Sequence, residues 1–127
     1  MELLERFLSY VQIETTSDPV SEAVPSSEVQ WNLAKILVKE LNDLGVSNVY
    51  LDKACIVYGT IPANVEGLPT YGLIAHMDTS FDASGKNIKP VVIDSYDGSV
   101  IKYKNNPNIP KIGEKRSSVY LRIPHWT

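Results

Sequence analysis

Apolar residues recur at three- and four-residue steps over Leu3, Leu4, Phe7, Leu8 and Val11. That spacing puts them on one side of a helix, so the chain is predicted to begin with a short amphipathic one. Between Thr15 and Pro25 two prolines and several small polar residues break the pattern, which predicts a loop. Ser27 stands three residues before Gln30, the spacing of a capping box. A second helix is predicted to run from there to about Leu44. Trp31, Ala34, Leu37, Val38, Leu41 and Leu44 form its buried stripe. Gly45 follows and can take the left-handed conformation that closes a helix.

The period then shortens. Val49 and Leu51 alternate with polar neighbours, and Cys55 to Ile61 is rich in β-forming residues. The two segments read as strands joined by a turn that starts at Asp52-Lys53. Pro62 to Pro69 is a loop. Thr70-Tyr71-Gly72-Leu73-Ile74-Ala75 is nearly all apolar after Thr70 and predicts a strand buried on both faces, as in a parallel sheet covered by helices. Val91–Tyr96 and Ser99–Tyr103 flank Asp97-Gly98 and predict a hairpin. Past Lys104 the pattern dissolves, with one brief alternation at Val119–Ile123. The sum is an α/β chain.

Charge divides this chain unevenly. Residues 1–101 hold six Lys and Arg against fourteen Asp and Glu, whereas residues 102–127 hold six basic residues and one acidic. Such a break predicts a boundary: an acidic body over 1–101 and a basic tail over 102–127. The overall net charge of -3 argues against nucleic acid, which rewards clustered cations. No apolar run approaches a membrane span, and the acidic start is unlike a secretory signal. One cysteine, Cys55, cannot form an internal disulfide, so a reducing cytoplasm is the expected compartment.

Chemistry concentrates at His76-Met77-Asp78, directly after the predicted buried strand. Ligands in open α/β sheets bind beyond the carboxyl ends of strands. A neutral imidazole there suits zinc, and a neighbouring carboxylate can take its other ring N–H and fix the tautomer. Taken alone, H-x-D is more simply a strand-capping histidine beside a loop-starting aspartate, because short motifs match by chance. Other candidates are weaker. Cys55 has no local charge to activate it. His125 has no acidic neighbour. Lys86 lacks the spacing of a phosphate-binding loop, and Lys111, Lys115 and Arg116 read as a solvated loop.

The residues around His76 change that balance. Leu4-Glu5-Arg6-Phe7-Leu8-x-Tyr10-Val11, Val24-Pro25-Ser26-Ser27-Glu28-x-Gln30-Trp31, Leu41-x-x-Leu44-Gly45, Thr60-Ile61-Pro62-Ala63-Asn64, His76-Met77-Asp78-Thr79-Ser80 and Ser84-Gly85-Lys86-Asn87 together resemble the peptidase T family of M20-type zinc aminopeptidases. The resemblance covers nearly all of residues 1–101. It implies the N-terminal part of a catalytic domain, a mixed sheet with flanking helices, left incomplete. It implies His76 as a zinc ligand and Asp78 as the catalytic-domain aspartate that orients and polarises it, in a site of two zinc ions. It implies hydrolysis that releases the N-terminal residue of tripeptides.

The remaining ligands and the general base lie further along such chains, in blocks resembling T-T-D-G and L-G-A-D-D-K-A-G. Residues 1–127 contain neither. The chain is therefore expected to be about the first third of such a protein plus an unfamiliar tail, inactive alone and prone to self-association. A non-enzymatic binding or assembly protein on the same scaffold is the alternative.

Overall fold

The computed structural model describes residues 2–95 and Gly98. The chain divides into one unit, Met1–Pro90, and a second that begins at Val91. The first holds two helices, α1 (Leu3–Tyr10) and α2 (Gln30–Asp43), followed by strands β1 (Ser47–Leu51) and β2 (Val57–Thr60). Of the second unit, residues 91–95 form neither helix nor strand. The remainder of the predicted 91–103 hairpin lies outside the described residues, except for Gly98, which has a φ of +85°. The Val119–Ile123 alternation and the boundary at residue 102 also lie outside them.

Helix α1 forms where the apolar spacing predicts. Its N-terminus is held by the Glu2 backbone N–H, which donates to Glu5 Oε2 at 3.1 Å. Its apolar stripe stays largely uncovered, with Leu3 79% and Phe7 59% exposed. A polar contact attaches this helix to α2. Arg6 Nε lies 3.0 Å from Glu40 Oε2, and the Tyr10 hydroxyl donates to the same oxygen. Losing water and facing that carboxylate, the Tyr10 phenol is pushed up from 10.0 to about 12, because both effects disfavour a phenolate.

Helix α2 begins two residues later than a cap at Ser27 would start it, with Val29 at the cap position. Successive backbone bonds from Gln30 to Ser27, Trp31 to Glu28 and Asn32 to Val29 lead into it, a tight entry turn that satisfies amides a side-chain cap would otherwise serve. Ser26, rather than Ser27, engages Gln30: its Oγ accepts from Gln30 Nε2 at 3.2 Å and from the Asp18 N–H at 3.1 Å. The predicted stripe holds from Trp31 to Leu41, all buried or half-buried, and fails at Leu44. Gln30, Leu33 and Ala34 are buried, while Leu44 is 60% exposed. Leu33 stands four residues before Leu37, so it lies on the same helical face as the predicted stripe and extends it. The C-terminus is as predicted. Gly45 has φ +78°, its N–H bonds to Asn42 O, and the Val46 N–H bonds to Leu41 O, the paired closure of a Schellman motif.

Strands β1 and β2 pair antiparallel, with Tyr50 opposite Tyr58 and Leu51 opposite Val57. Asp52 builds the turn as predicted: its Oδ1 accepts from the N–H groups of Ala54 and Ile56, both at 2.9 Å. A register shift between Ser47 and Tyr50 accommodates Asn48 at φ +51°, a bulge that adds local twist. On the outer face the Tyr50 and Tyr58 rings stack at 4.6 Å. On the inner face α2 packs against both strands. Gly59 makes room for the residue that links α2 to β1, since a β-carbon there would lie 2.8 Å from Val46 Cγ1. The apolar core of the described residues is small: Leu33, Ala34 and Cys55.

Helix and strand therefore combine as an α/β chain requires, but no mixed sheet forms among the described residues. The sheet of the described residues has two antiparallel strands. Thr70–Ala75, predicted as a doubly buried strand, takes no strand structure, and Leu73 and Ile74 are 99% and 100% exposed. A central parallel strand needs ladder partners on both sides and helices on both faces. The described residues supply neither, so the apolar run meets solvent.

Candidate functional site

His76 and Asp78 emerge from that exposed segment. The imidazole is open to solvent, with its side chain 84% exposed against 43% for Asp78. Its Nδ1 lies 3.0 Å from Asp78 Oδ1 and 2.9 Å from the Asp78 carbonyl oxygen. A ring nitrogen facing two acceptors carries the proton in the neutral ring, which leaves the Nε2 lone pair outward as a ligand. The sequence-predicted pair is thus brought together.

The loop is held by a segment far away in sequence. Thr16 and Thr79 form an isolated parallel bridge. The Thr79 N–H donates to Thr15 O at 3.1 Å, and the Ser17 N–H donates to Thr79 O at 3.0 Å. Ser17 Oγ donates to the same carbonyl at 3.0 Å. Asp78 C=O and Thr79 N–H belong to one peptide plane, in which they point in opposite directions. One side of that plane is tied to Thr15 and the other faces His76. The bridge therefore sets the direction of an acceptor on the imidazole.

The second motif block closes on the same place. Gly85 packs beside Thr16 and Thr79, and Lys86 Nζ stands 3.9 Å from Glu14 Oε1, a loose pair of little energetic weight. Ser84 Oγ accepts from the Lys86 N–H at 3.3 Å. Ser80 Oγ donates to Asp82 Oδ2 at 2.7 Å and accepts from the Asp82 N–H, so that carboxylate is engaged within its own turn. The stretch from Glu14 to Ser17 was part of, or adjacent to, a predicted loop, and its role in the site was missed. A single parallel bridge leaves no periodicity to read.

The donor set fits one metal-ligand position: an outward imidazole nitrogen backed by a carboxylate. Among the described residues no group of three or more His, Cys, Asp or Glu side chains could hold a metal ion. His125 lies outside those residues. Cys55 is buried and free, and burial pushes its thiol up, which keeps it protonated and inert.

The chain matches no family model. It is 52% identical over 101 residues to peptidase T of Aliivibrio fischeri, covering 79% of this chain and 25% of that protein. The peptidase T of Alkaliphilus oremlandii is 46% identical over 110 residues, covering 84% and 27%. That of Halothermothrix orenii is 47% identical over 108 residues, covering 84% and 26%. The chain is homologous to peptidase T. It spans about a quarter of the length of these peptidase T relatives, less than the third expected from sequence. No helix among the described residues is long and apolar enough to cross a membrane.

Proposed function

We propose that this chain is the N-terminal portion of the catalytic domain of a zinc-dependent tripeptide aminopeptidase, with His76 Nε2 as a zinc ligand and Asp78 as the residue that orients it. The paired contacts of His76 Nδ1 with the Asp78 carboxylate and carbonyl carry the reading. They free the outer nitrogen, and they lie within a stretch of 101 residues that is 52% identical to a protein named peptidase T. Zinc, when bound, would polarise a peptide carbonyl as a Lewis acid. The chain's own contribution is to present Nε2 deprotonated, with the Asp78 carboxylate supporting the charge that ligation draws from the ring. Short peptides are the substrates of this reading. The cytoplasm is its compartment, in keeping with the free thiol of Cys55.

Catalytic zinc uses about three protein ligands and a positioned base, and His76 supplies one. The 127-residue chain is therefore expected to bind zinc weakly and to leave tripeptides intact. Titration calorimetry of zinc into the wild type and His76→Ala tests the first point: a weak heat should vanish in the variant. An N-terminal residue-release assay tests the second. Zinc binding indifferent to His76→Ala would sink the ligand assignment, and zinc-dependent hydrolysis by the chain alone would sink the incomplete-site reading.

A further inference from the structure

Gly85 meets the Thr16–Thr79 bridge at a point where no side chain fits. A β-carbon on Gly85 would stand 2.6 Å from Thr16 Oγ1, 3.4 Å from Thr79 Oγ1 and 3.9 Å from Thr16 Cβ. The glycine is required here by space, not by a left-handed backbone, since its φ lies outside that region. Thr16 cannot easily swing aside. It is β-branched and stiff about χ1, and its Oγ1 is buried. Any added atom must therefore push on the bridge itself. The bridge fixes the Asp78–Thr79 peptide plane, whose carbonyl faces His76 Nδ1 at 2.9 Å.

We propose that Gly85 is a positioning residue for the His76–Asp78 pair: its bare backbone lets the Thr16–Thr79 bridge close, and the closed bridge aims the Asp78 carbonyl at the imidazole. This rests on reading His76 and Asp78 as the metal-binding pair. It gives the Ser84-Gly85-Lys86-Asn87 block a mechanical purpose without any contact to zinc or substrate. Tilting the plane takes one of two acceptors away from Nδ1 and leaves the Asp78 carboxylate alone to hold the proton there, so the share of neutral ring protonated at Nε2 rises. A population that protonates Nε2 has no lone pair to offer a metal.

The test uses the 127-residue chain and three variants: Gly85→Ala, Thr16→Ala and the two combined. Nitrogen-15 NMR of the neutral imidazole reads the tautomer, with the His76 signal assigned by its loss in His76→Ala. Amide exchange reads Thr79. In the wild type and in Thr16→Ala the proton should sit on Nδ1. In Gly85→Ala both tautomers should appear and the Thr79 amide should exchange faster by about tenfold. The combined variant should recover the wild-type values, because the atom that the new methyl strikes is gone.

An unchanged tautomer in Gly85→Ala overturns the proposal, and so does failure of Thr16→Ala to rescue it. If Gly85→Ala alone does not fold, the combined variant decides: folded with Nδ1 protonated supports the coupling, and misfolded or tautomerically mixed overturns it. The readout needs no metal. A wild-type chain that ignores zinc in calorimetry would therefore remove the ligand reading while leaving the positioning result to be judged on its own.

Discussion

Tyr10 is the residue at which charge and packing are most directly linked. Its phenol is raised from 10.0 to about 12 by burial and by Glu40. A group with a raised folded-state pKa contributes stability fully below its unfolded pKa and loses it as pH rises through the folded value. The docking of α1 should thus weaken between pH 10 and about 12. Lys39, raised above its ordinary value by its contact with Asp43, also loses its proton on the alkaline side, so the informative quantity is a difference. Tyr10→Phe should lose the part of the alkaline decline that belongs to α1, measured by thermal melts across that window. Cys55 gives a second residue-scale outcome. With 4% exposure and a thiol held protonated, it should resist thiol reagents at neutral pH and react as the chain unfolds. The candidate site itself was half legible at this scale. His76 and Asp78 stand two apart, and their chemistry is written in their types. Thr15, Thr16 and Ser17 carry no comparable signal, because they act through backbone N–H and C=O groups and small hydroxyls that are common to most loops.

Among the elements, α2 and its hairpin were the most readable. Gly45 marked the helix end, and Asp52 the turn, because each solves a local backbone problem that few other residues solve. Gly45→Ala should cost about 1 kcal/mol, the price of forcing a β-carbon into a left-handed conformation. Gly72→Ala is the matched control. That position has no positive φ and open space around it, and the change should leave the melting temperature within experimental error. Chemical denaturation of the two variants checks the contrast, and equal losses would mean that Gly45 does not act through its φ. Thr70–Ala75 failed as a strand for an equally physical reason. A continuous apolar run states what surroundings a segment needs, and the ladder and covering layers must come from elsewhere. Helix α1 shows the same separation in milder form: its period was legible, and its apolar face is nevertheless largely bare.

The described residues bury little apolar surface and expose much. Leu33, Ala34 and Cys55 are its buried apolar residues among those described, while Tyr71, Leu73 and Ile74 are 83%, 99% and 100% exposed. Exposed apolar segments of this kind promote association. Light scattering should show a mass that rises with concentration, and Leu73→Lys with Ile74→Lys should reduce it. A monodisperse monomer across the same range would show that these side chains do not drive assembly. The Thr16–Thr79 bridge has a consequence in time as well as in space. The hydrogen bond from Ser17 to Thr79 spans 62 residues, and closing a flexible loop of that size costs about 4 kcal/mol of chain entropy. Helix α2 and the hairpin form from near neighbours and lie inside the loop. Once folded they shorten the flexible length left to close. The bridge is thus set to form after them, and the orientation of His76 with it. In pulse-labelled hydrogen exchange the Ser17 and Thr79 amides should gain protection after those of β1 and β2 do. Warming should reverse the order: the chain would lose its grip on the imidazole while its helix and hairpin still stand.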